Sequence, residues 1–207
     1  MASQPIKAVL FDLGGVVVEY SDRNAYLNRL KIIQSNAKFV DLFEQFECGL
    51  LTIYEIEPEF LKTVMGNKSG DDLIKAANPT NLMKTKNPFV ENAIRSLRSS
   101  GKYLVGLLTN NGFWVRDRSE SKLIIDTSDF DFVIESCKIG ARKPNADFYE
   151  MALLKMGLSA AECVFIDDLE ENCKGAEAVG IRSIWLKDDD YKTAIEQLEE
   201  IIGEKLL

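Results

Sequence analysis

Short apolar runs recur along the chain, and several of them end abruptly in polar residues. Runs of this kind are typical of parallel strands that are buried on both faces. The sequence predicts five such strands, at residues 8–11, 103–108, 130–134, 163–166 and 181–186. Apolar residues at three- and four-residue spacing predict helices around them, at residues 90–99, 119–125, 145–156, 172–179 and 191–202. This alternation predicts an α/β fold, a Rossmann-like parallel sheet with helices on both faces.

The segment between the first two predicted strands has a different pattern. Residues 21–87 show helical periodicity and no convincing strand. Within this segment, Thr52 and Glu55 have the spacing of a capping box and predict the start of a helix. We therefore predict a core domain of residues 1–20 and 88–207 and a small helical domain, residues 21–87, inserted into it.

Composition and charge narrow the classes of function. The formal net charge of −8 disfavours nucleic acid and anionic membranes as partners. The chain has no histidine, which excludes Ser-His-Asp and Cys-His catalysis and imidazole ligands to a metal. Its four cysteines show no Cys-x-x-Cys spacing and are predicted to be reduced thiols. Because we find no membrane-length apolar run and no signal peptide, we expect a soluble cytoplasmic protein, either a monomer or a homodimer.

Polar residues at the ends of the predicted strands are the candidate site. Three of the strands are followed by Asp12, by Thr109 and Asn110, and by Asp167 and Asp168. Taken singly, such residues are usually turn formers or acids in the first turn of a helix, and Lys143, in the loop after the third strand, would usually be a solvated lysine. Ligands of parallel sheets bind beyond the carboxyl ends of the strands. Together and in this order, these residues therefore predict one site at that edge.

In this order the residues resemble the motifs of the haloacid dehalogenase-like hydrolases. The matching positions are Asp12-Leu13-Gly14-Gly15-Val16, Thr109, Lys143-Pro144 and Asp167-Asp168. The resemblance covers residues 6 to about 186, and residues 21–87 stand where the family has a helical cap. The Phe-Asp-Leu-Gly-Gly start is most similar to the branch near the phosphatase-like domain of soluble epoxide hydrolase.

The resemblance implies a hydrolase of small phosphorylated metabolites that works through an aspartyl-phosphate. Asp12 would be the nucleophile, and Thr109, Asn110 and Lys143 would bind the phosphoryl group. The cofactor would be Mg²⁺. Its implied ligands are Asp12, the backbone carbonyl of Gly14, and Asp168, with Asp167 in or just outside the shell.

Gly14 departs from the family pattern, because phosphatases of the family have an aspartate there that acts as general acid and base. General acid–base catalysis contributes roughly 10²–10⁴-fold to a rate. Three interpretations stay open: a slow or specialised phosphatase helped by another group, for which Glu19 is the candidate; a silent protein that binds metal or phosphate; and a carbon–halogen hydrolase. The carbon–halogen hydrolase is the least favoured, because the acidic pair is the metal-binding form of the motif, and we favour the phosphatase over the silent protein. Gly14→Asp is then expected to raise the turnover of alkyl phosphates.

Overall fold

The computed structural model describes residues 5–66 and 68–206 of the chain. Its strands are β1 (Ala8–Phe11), β2 (Val18–Tyr20), β3 (Met83–Lys86), β4 (Leu104–Thr109), β5 (Phe132–Glu135), β6 (Cys163–Asp167) and β7 (Arg182–Trp185). Five of these strands form one sheet in the order β5-β4-β1-β6-β7, and each neighbouring pair is parallel. The predicted parallel α/β sheet is confirmed.

Helices cover both faces of this sheet. The α-helices of the described residues are α1 (Arg23–Gln34), α2 (Ala37–Glu47), α3 (Pro58–Met65), α4 (Asp71–Ala77), α5 (Pro88–Ser100), α6 (Ser136–Ile139), α7 (Ala146–Met156), α8 (Glu170–Ala178) and α9 (Tyr191–Ile202). Alternate side chains of the central strand β1 enter two cores, Val9 and Phe11 with α5 and α9, and Ala8 and Leu10 with α7 and α8. Within the described residues, no helix has the length and apolar content to cross a membrane.

Helices α1 to α4 lie between β2 and β3 in the chain and have an apolar cluster of their own. In this cluster Phe39 of α2 meets Phe60 of α3 edge to face, with ring centres 5.2 Å apart. Trp114, from the loop after β4, packs against the same cluster and lies 5.8 Å from the ring of Phe46. This contact joins the helices to the edge of the sheet where β4 ends.

The helix start predicted at Thr52 is wrong. α3 begins at Pro58, and its N-cap residue Glu57 makes no side-chain capping bond. Proline is favoured in the first turn of a helix, because its φ is already helical and its missing N–H would have no partner there. The carboxylate of Glu55 does accept a hydrogen bond from Thr52 N at 2.7 Å, but it also binds Arg118 at 3.0 Å and closes a turn outside the helix.

Two other predictions are corrected by the structure. The segment predicted to lack strands ends in β3, which pairs antiparallel with β2 and places Tyr20 opposite Met83. The sequence of β3 is Met-Lys-Thr-Lys, so the strand lacks the apolar run that marks a buried strand. Residues 119–125 form no helix, because an antiparallel bridge between Phe113 and Ser121 draws this loop into an extended conformation.

Candidate active site

The predicted acidic residues meet at the carboxyl edge of the sheet. Strands β1, β4 and β6 are neighbours, and Asp12 directly follows β1 while Asp167 ends β6. Carboxylate oxygens of Asp12, Asp167 and Asp168 lie within 4.8 Å of one another, and all three residues are buried. The structure thus brings Asp12 into one cluster with the acidic pair Asp167-Asp168, which is far away in the sequence.

Lys143 lies inside this acidic cluster. Its Nζ donates to Asp12 Oδ1 at 2.7 Å, to Asp167 Oδ2 at 2.7 Å and to the carbonyl of Leu108 at 2.9 Å. Only 1% of the side chain is exposed. An ammonium group has three donors, so every proton of this buried group has a partner. Lys143 therefore fixes the orientation of two of the three carboxylates.

Asn110 and Thr109, at the end of β4, both line the cavity above the cluster. The amide of Asn110 holds the backbone of Lys143 on both sides, since Oδ1 accepts from Lys143 N at 2.9 Å and Nδ2 donates to Lys143 O at 3.0 Å. Asn110 therefore positions the lysine, a function that its sequence context did not reveal. The hydroxyl of Thr109 has only a weak contact of 3.3 Å, to the carbonyl of Asn110.

Asp167 and Asp168 differ in how their oxygens are used. Asp167 accepts hydrogen bonds from Leu169 N at 2.8 Å and from Asn172 Nδ2 at 3.0 Å, in addition to the bond from Lys143. Both of its oxygens are thereby satisfied. The two carboxylate oxygens of Asp168 are buried and have no hydrogen-bond partner, although Arg23 approaches one of them to 3.4 Å. Buried polar atoms are rarely left unpaired, so the oxygens of Asp168 fit the role of ligands to a cation.

The ionisation of the cluster reflects this crowding. Burial raises the pKa of Asp12 to about 7, with Lys143 opposing the rise and Asp167 adding to it. Burial, Asp167 and Asp12 raise the pKa of Asp168 well above its ordinary range. For Lys143, burial acts to lower the pKa, but Asp12 and Asp167 outweigh it and raise the pKa. The cluster has more carboxylates than positive charges, and the atoms that it offers to a metal are all oxygens. Both features fit a divalent cation such as Mg²⁺.

The two glycines after Asp12 have different structural requirements. Gly15 has a φ of +78°, and a Cβ there would lie 2.6 Å from the carboxylate of Asp168. Glycine is required at that position for both reasons. Gly14 is not in a positive-φ conformation, but a Cβ on it would lie 2.9 Å from the hydroxyl oxygen of Tyr20 and 3.1 Å from Cε of Met83. The space next to Gly14 is therefore already filled.

Glu19 lies neither in the acidic cluster nor among the residues that line the cavity over Asp12. Its carboxylate accepts a hydrogen bond from Asn87 Nδ2 at 2.7 Å and lies 3.9 Å from the ammonium of Lys84. Successive side chains of a strand point to opposite faces. Tyr20, the next residue of β2, consequently lines the cavity.

A cavity of about 540 Å³ opens above the acidic cluster. Its floor carries Asp12, Thr109 and Lys143, and its walls come largely from α1, α2 and the loop after β4. The walls are mainly apolar and include Leu30, Ile33, Phe43, Phe46, Met83 and Trp114. The site therefore combines a charged floor with an apolar chamber.

The sequence analysis missed three residues that complete the site, Asn172, Arg23 and Tyr20. Asn172 lies five residues after Asp167, in the first turn of the helix that follows, and this spacing is a usable signal. Arg23 reaches Asp168 across 145 positions and had no local signal. Tyr20 comes close to Gly14 through the turn after Asp12, in which Gly14 bridges Val18 and Gly15 N donates to the carbonyl of Val18.

Comparisons with known sequences agree with this geometry. The model of the haloacid dehalogenase-like hydrolase family matches residues 6–180. Bifunctional epoxide hydrolase 2 of Sus scrofa is 33% identical over 129 residues, which cover 60% of this chain and 22% of that protein. The sesquiterpene phosphatase astK of Aspergillus oryzae is 29% identical over 204 residues, 95% of this chain and 97% of that protein. The chain spans only 10% to 22% of the lengths of the mammalian relatives that it matches.

A solved structure shows the same architecture. The HAD family enzyme of Bacteroides thetaiotaomicron, solved as a magnesium complex, superposes with a TM-score of 0.66 at 26% identity. The match covers 93% of this chain and 99% of that enzyme. The family match over residues 6–180 includes Asp12, Lys143 and the acidic pair, so the resemblance seen in the motifs is confirmed. The chain belongs to the haloacid dehalogenase-like hydrolases.

Proposed function

We propose that this hydrolase is a Mg²⁺-dependent phosphatase of small phosphomonoesters, with Asp12 as its nucleophile. The observation that carries the proposal is the buried cluster in which Lys143 binds Asp12 and Asp167 while both oxygens of Asp168 lack hydrogen-bond partners. Two relatives support it. The full-length match astK is a phosphatase by name, and the Bacteroides enzyme has also been solved with magnesium and inorganic phosphate.

The reaction would proceed in two displacements at phosphorus. Lys143 holds Oδ1 of Asp12, which leaves Oδ2 to attack the phosphorus of the ester. As that bond forms, the bond from phosphorus to the ester oxygen breaks, and that oxygen leaves as the alcohol with a proton taken from the site, which the attacking water of the second displacement replaces. Water then attacks the phosphorus, the bond to Asp12 breaks, and phosphate is released from the regenerated carboxylate. Thr109 would donate its hydroxyl to a phosphoryl oxygen, and bound Mg²⁺ would supply positive charge beside the phosphoryl group.

The contacts of the two adjacent aspartates suggest different roles for them. Asp12 and Asp168 would hold the metal directly, together with the backbone carbonyl of Gly14. Asp167 would stay outside the shell, because Lys143 and Asn172 already occupy its oxygens. Such outer groups orient the direct ligands of a metal site.

Asp168→Asn is expected to weaken Mg²⁺ binding by about 100-fold or more, since even outer-shell groups change metal affinity by about 10–100-fold. Isothermal titration with MgCl₂ would measure this loss without any substrate. Asp189→Asn is the matched control, because Asp189 is the exposed second partner of Arg23 at 2.6 Å and lies outside the acidic cluster. Equal Mg²⁺ affinity in the wild type and Asp168→Asn would remove Asp168 from the metal shell.

The apolar chamber supports a further detail of this function. In our proposal, residues 21–87 form a cap domain on a core of residues 1–20 and 88–207, and the chamber beneath the cap receives the alcohol part of the ester. Its lining favours an alcohol with a sizeable apolar group.

The four cysteines are free thiols, which supports a reducing compartment such as the cytoplasm.

A series of linear alkyl phosphates from ethyl to octyl tests the chamber. Each methylene buried adds about 0.8 kcal/mol, so kcat/KM is expected to rise by roughly fourfold per added carbon until the chamber is full. Leu30→Asn, in the chamber wall, is expected to lower kcat/KM for the octyl ester by about tenfold and to leave ethyl phosphate little changed. Leu154→Asn is the control, since Leu154 is 83% exposed. A rate independent of chain length would refute an apolar alcohol site.

The proposed activity itself is tested by a screen of phosphomonoesters with and without Mg²⁺, using Asp12→Asn as the blank. Phosphate release that needs both Mg²⁺ and Asp12 is the expected result. Binding of Mg²⁺ and inorganic phosphate without turnover of any ester would identify a silent binding protein instead. Release of chloride from 2-chloroacids in place of phosphate would identify a carbon–halogen hydrolase.

A further inference from the structure

Gly14 has no side chain that could protonate the leaving oxygen. An alkyl ester oxygen leaves as a strong base, and a positioned proton donor is worth roughly 10²–10⁴-fold in rate. Any substitute donor should lie close to the space that a side chain at residue 14 would fill. Tyr20 is in that space, since its hydroxyl oxygen lies 2.9 Å from the position of a Cβ on Gly14.

The ring of Tyr20 is held in this position from two sides. It stacks on the ring of Tyr26 from α1, with centres 4.4 Å apart and planes inclined by 17°. On the neighbouring strand, β3 places Met83 opposite Tyr20. Both Tyr26 and Met83 also line the cavity over Asp12. A hydroxyl fixed in this way is preorganised and needs little rearrangement when charge develops on a nearby oxygen.

Other polar groups near Asp12 are engaged elsewhere. All three protons of the Lys143 ammonium are donated to Asp12, Asp167 and Leu108. The amide of Asn110 binds the backbone of Lys143. Glu19, on the opposite face of β2, binds Asn87. The hydroxyl of Tyr20, which shares a hydrogen bond with that of its stacking partner Tyr26, is the group that lies beside the missing side chain.

We propose that the Tyr20 hydroxyl donates its proton to the leaving-group oxygen, in place of the acid that Gly14 lacks. The proposal rests on the phosphatase function proposed above. As the bond between phosphorus and the ester oxygen breaks, that oxygen takes the proton of Tyr20 and leaves as a neutral alcohol. In the second displacement, the attacking water gives a proton to the Tyr20 oxygen as its own oxygen bonds to phosphorus, which restores the starting state.

This geometry reverses the expectation for Gly14→Asp. The new side chain would start 2.9 Å from the Tyr20 oxygen and would have to displace the ring. We therefore expect Gly14→Asp alone to lower the turnover of alkyl phosphates. In a Tyr20→Ala background the aspartate has room, so Gly14→Asp is expected to restore at least about tenfold of the turnover that Tyr20→Ala loses.

The decisive comparison uses two esters of similar size, 4-nitrophenyl phosphate and cyclohexyl phosphate. Nitrophenolate leaves without protonation, whereas the oxygen of the cyclohexyl ester must take up a proton in order to leave. Tyr20→Phe keeps the stacked ring and is expected to lower kcat for the cyclohexyl ester by about 10²-fold or more and for the nitrophenyl ester by less than about fivefold. Tyr103→Phe is the matched control, because its hydroxyl binds Glu204 at 3.1 Å and its residue precedes β4, at the far edge of the sheet.

Binding of Mg²⁺ and of inorganic phosphate, measured by calorimetry, establishes that the Tyr20→Phe site is intact. An intact site with a selective loss on the cyclohexyl ester supports the proposal, and so does rescue by Gly14→Asp in the Tyr20→Ala protein. Equal losses on both esters, or none on the cyclohexyl ester, would overturn the role of Tyr20 and leave the phosphatase assignment standing. Failure of the wild type to hydrolyse either ester with Mg²⁺ would overturn both.

Discussion

Asp12→Asn lowers turnover of every phosphomonoester by about 10⁴-fold or more in this account, because an amide oxygen cannot replace a carboxylate as nucleophile. The fold should survive the change. Asp12 lies at the end of β1 rather than within a core, and the substitution removes one of three crowded carboxylates. Asn can still accept a hydrogen bond from Lys143, whose contact with Asp167 is untouched. The melting temperature of the metal-free protein is therefore expected to stay equal to that of the wild type or to rise.

Steady-state kinetics with saturating Mg²⁺ and thermal unfolding of the same preparations measure both effects. Asp129→Asn is a suitable control, because Asp129 is an exposed acid paired with Lys86 at 3.4 Å and should change neither quantity appreciably. A folded Asp12→Asn protein with near-normal turnover would remove Asp12 as the nucleophile.

Lys143→Met is expected to destabilise the metal-free protein by about 3–5 kcal/mol, because it leaves buried carboxylates without their counter-charge. The ammonium is almost entirely buried and touches Asp12 and Asp167 at 2.7 Å each. Turnover should fall with it, since the lysine also orients the nucleophile. Urea unfolding in the absence of Mg²⁺ would measure the change in the free energy of unfolding.

Lys174→Met is the matched control for this stability change. Lys174 pairs with Glu170 at 2.8 Å on the surface of α8, where an ion pair contributes about 0–1 kcal/mol. The two substitutions are chemically identical, so the difference between their free energies of unfolding reports the effect of burying the lysine with its partners. Similar free energies of unfolding for the two variants would contradict the account of Lys143 as the central counter-charge.

The parts of the site that were predicted from the sequence follow from the geometry of parallel sheets. Asp12, Thr109 and Asp167 each stand at the end of an apolar run, and adjacent parallel strands bring such ends together. The arrangement of five strands could be predicted for the same reason, since buried strands carry strong local signals. The two apolar cores, one on each face of this sheet, follow from the alternation of side chains along β1.

The parts that were not predicted depend on contacts between distant segments. Met83 packs opposite Tyr20 because β2 pairs with β3, a strand of four residues with two lysines. Asn110 was expected to bind substrate, but its amide is directed by the backbone of Lys143, 33 positions later. The capping pattern at Thr52 failed because Arg118 binds Glu55 and the chain continues to Pro58 before the helix starts.

A trapping experiment shows whether the phosphoryl group passes through Asp12. Rapid quenching of the Mg²⁺-loaded enzyme during turnover, followed by borohydride reduction, converts an aspartyl-phosphate to homoserine. Peptide mass spectrometry would then locate the modified position. Homoserine is expected at residue 12 only when both ester and Mg²⁺ are present. Rapid release of phosphate with residue 12 unmodified, or homoserine formed at Asp167 or Asp168 instead, would contradict it.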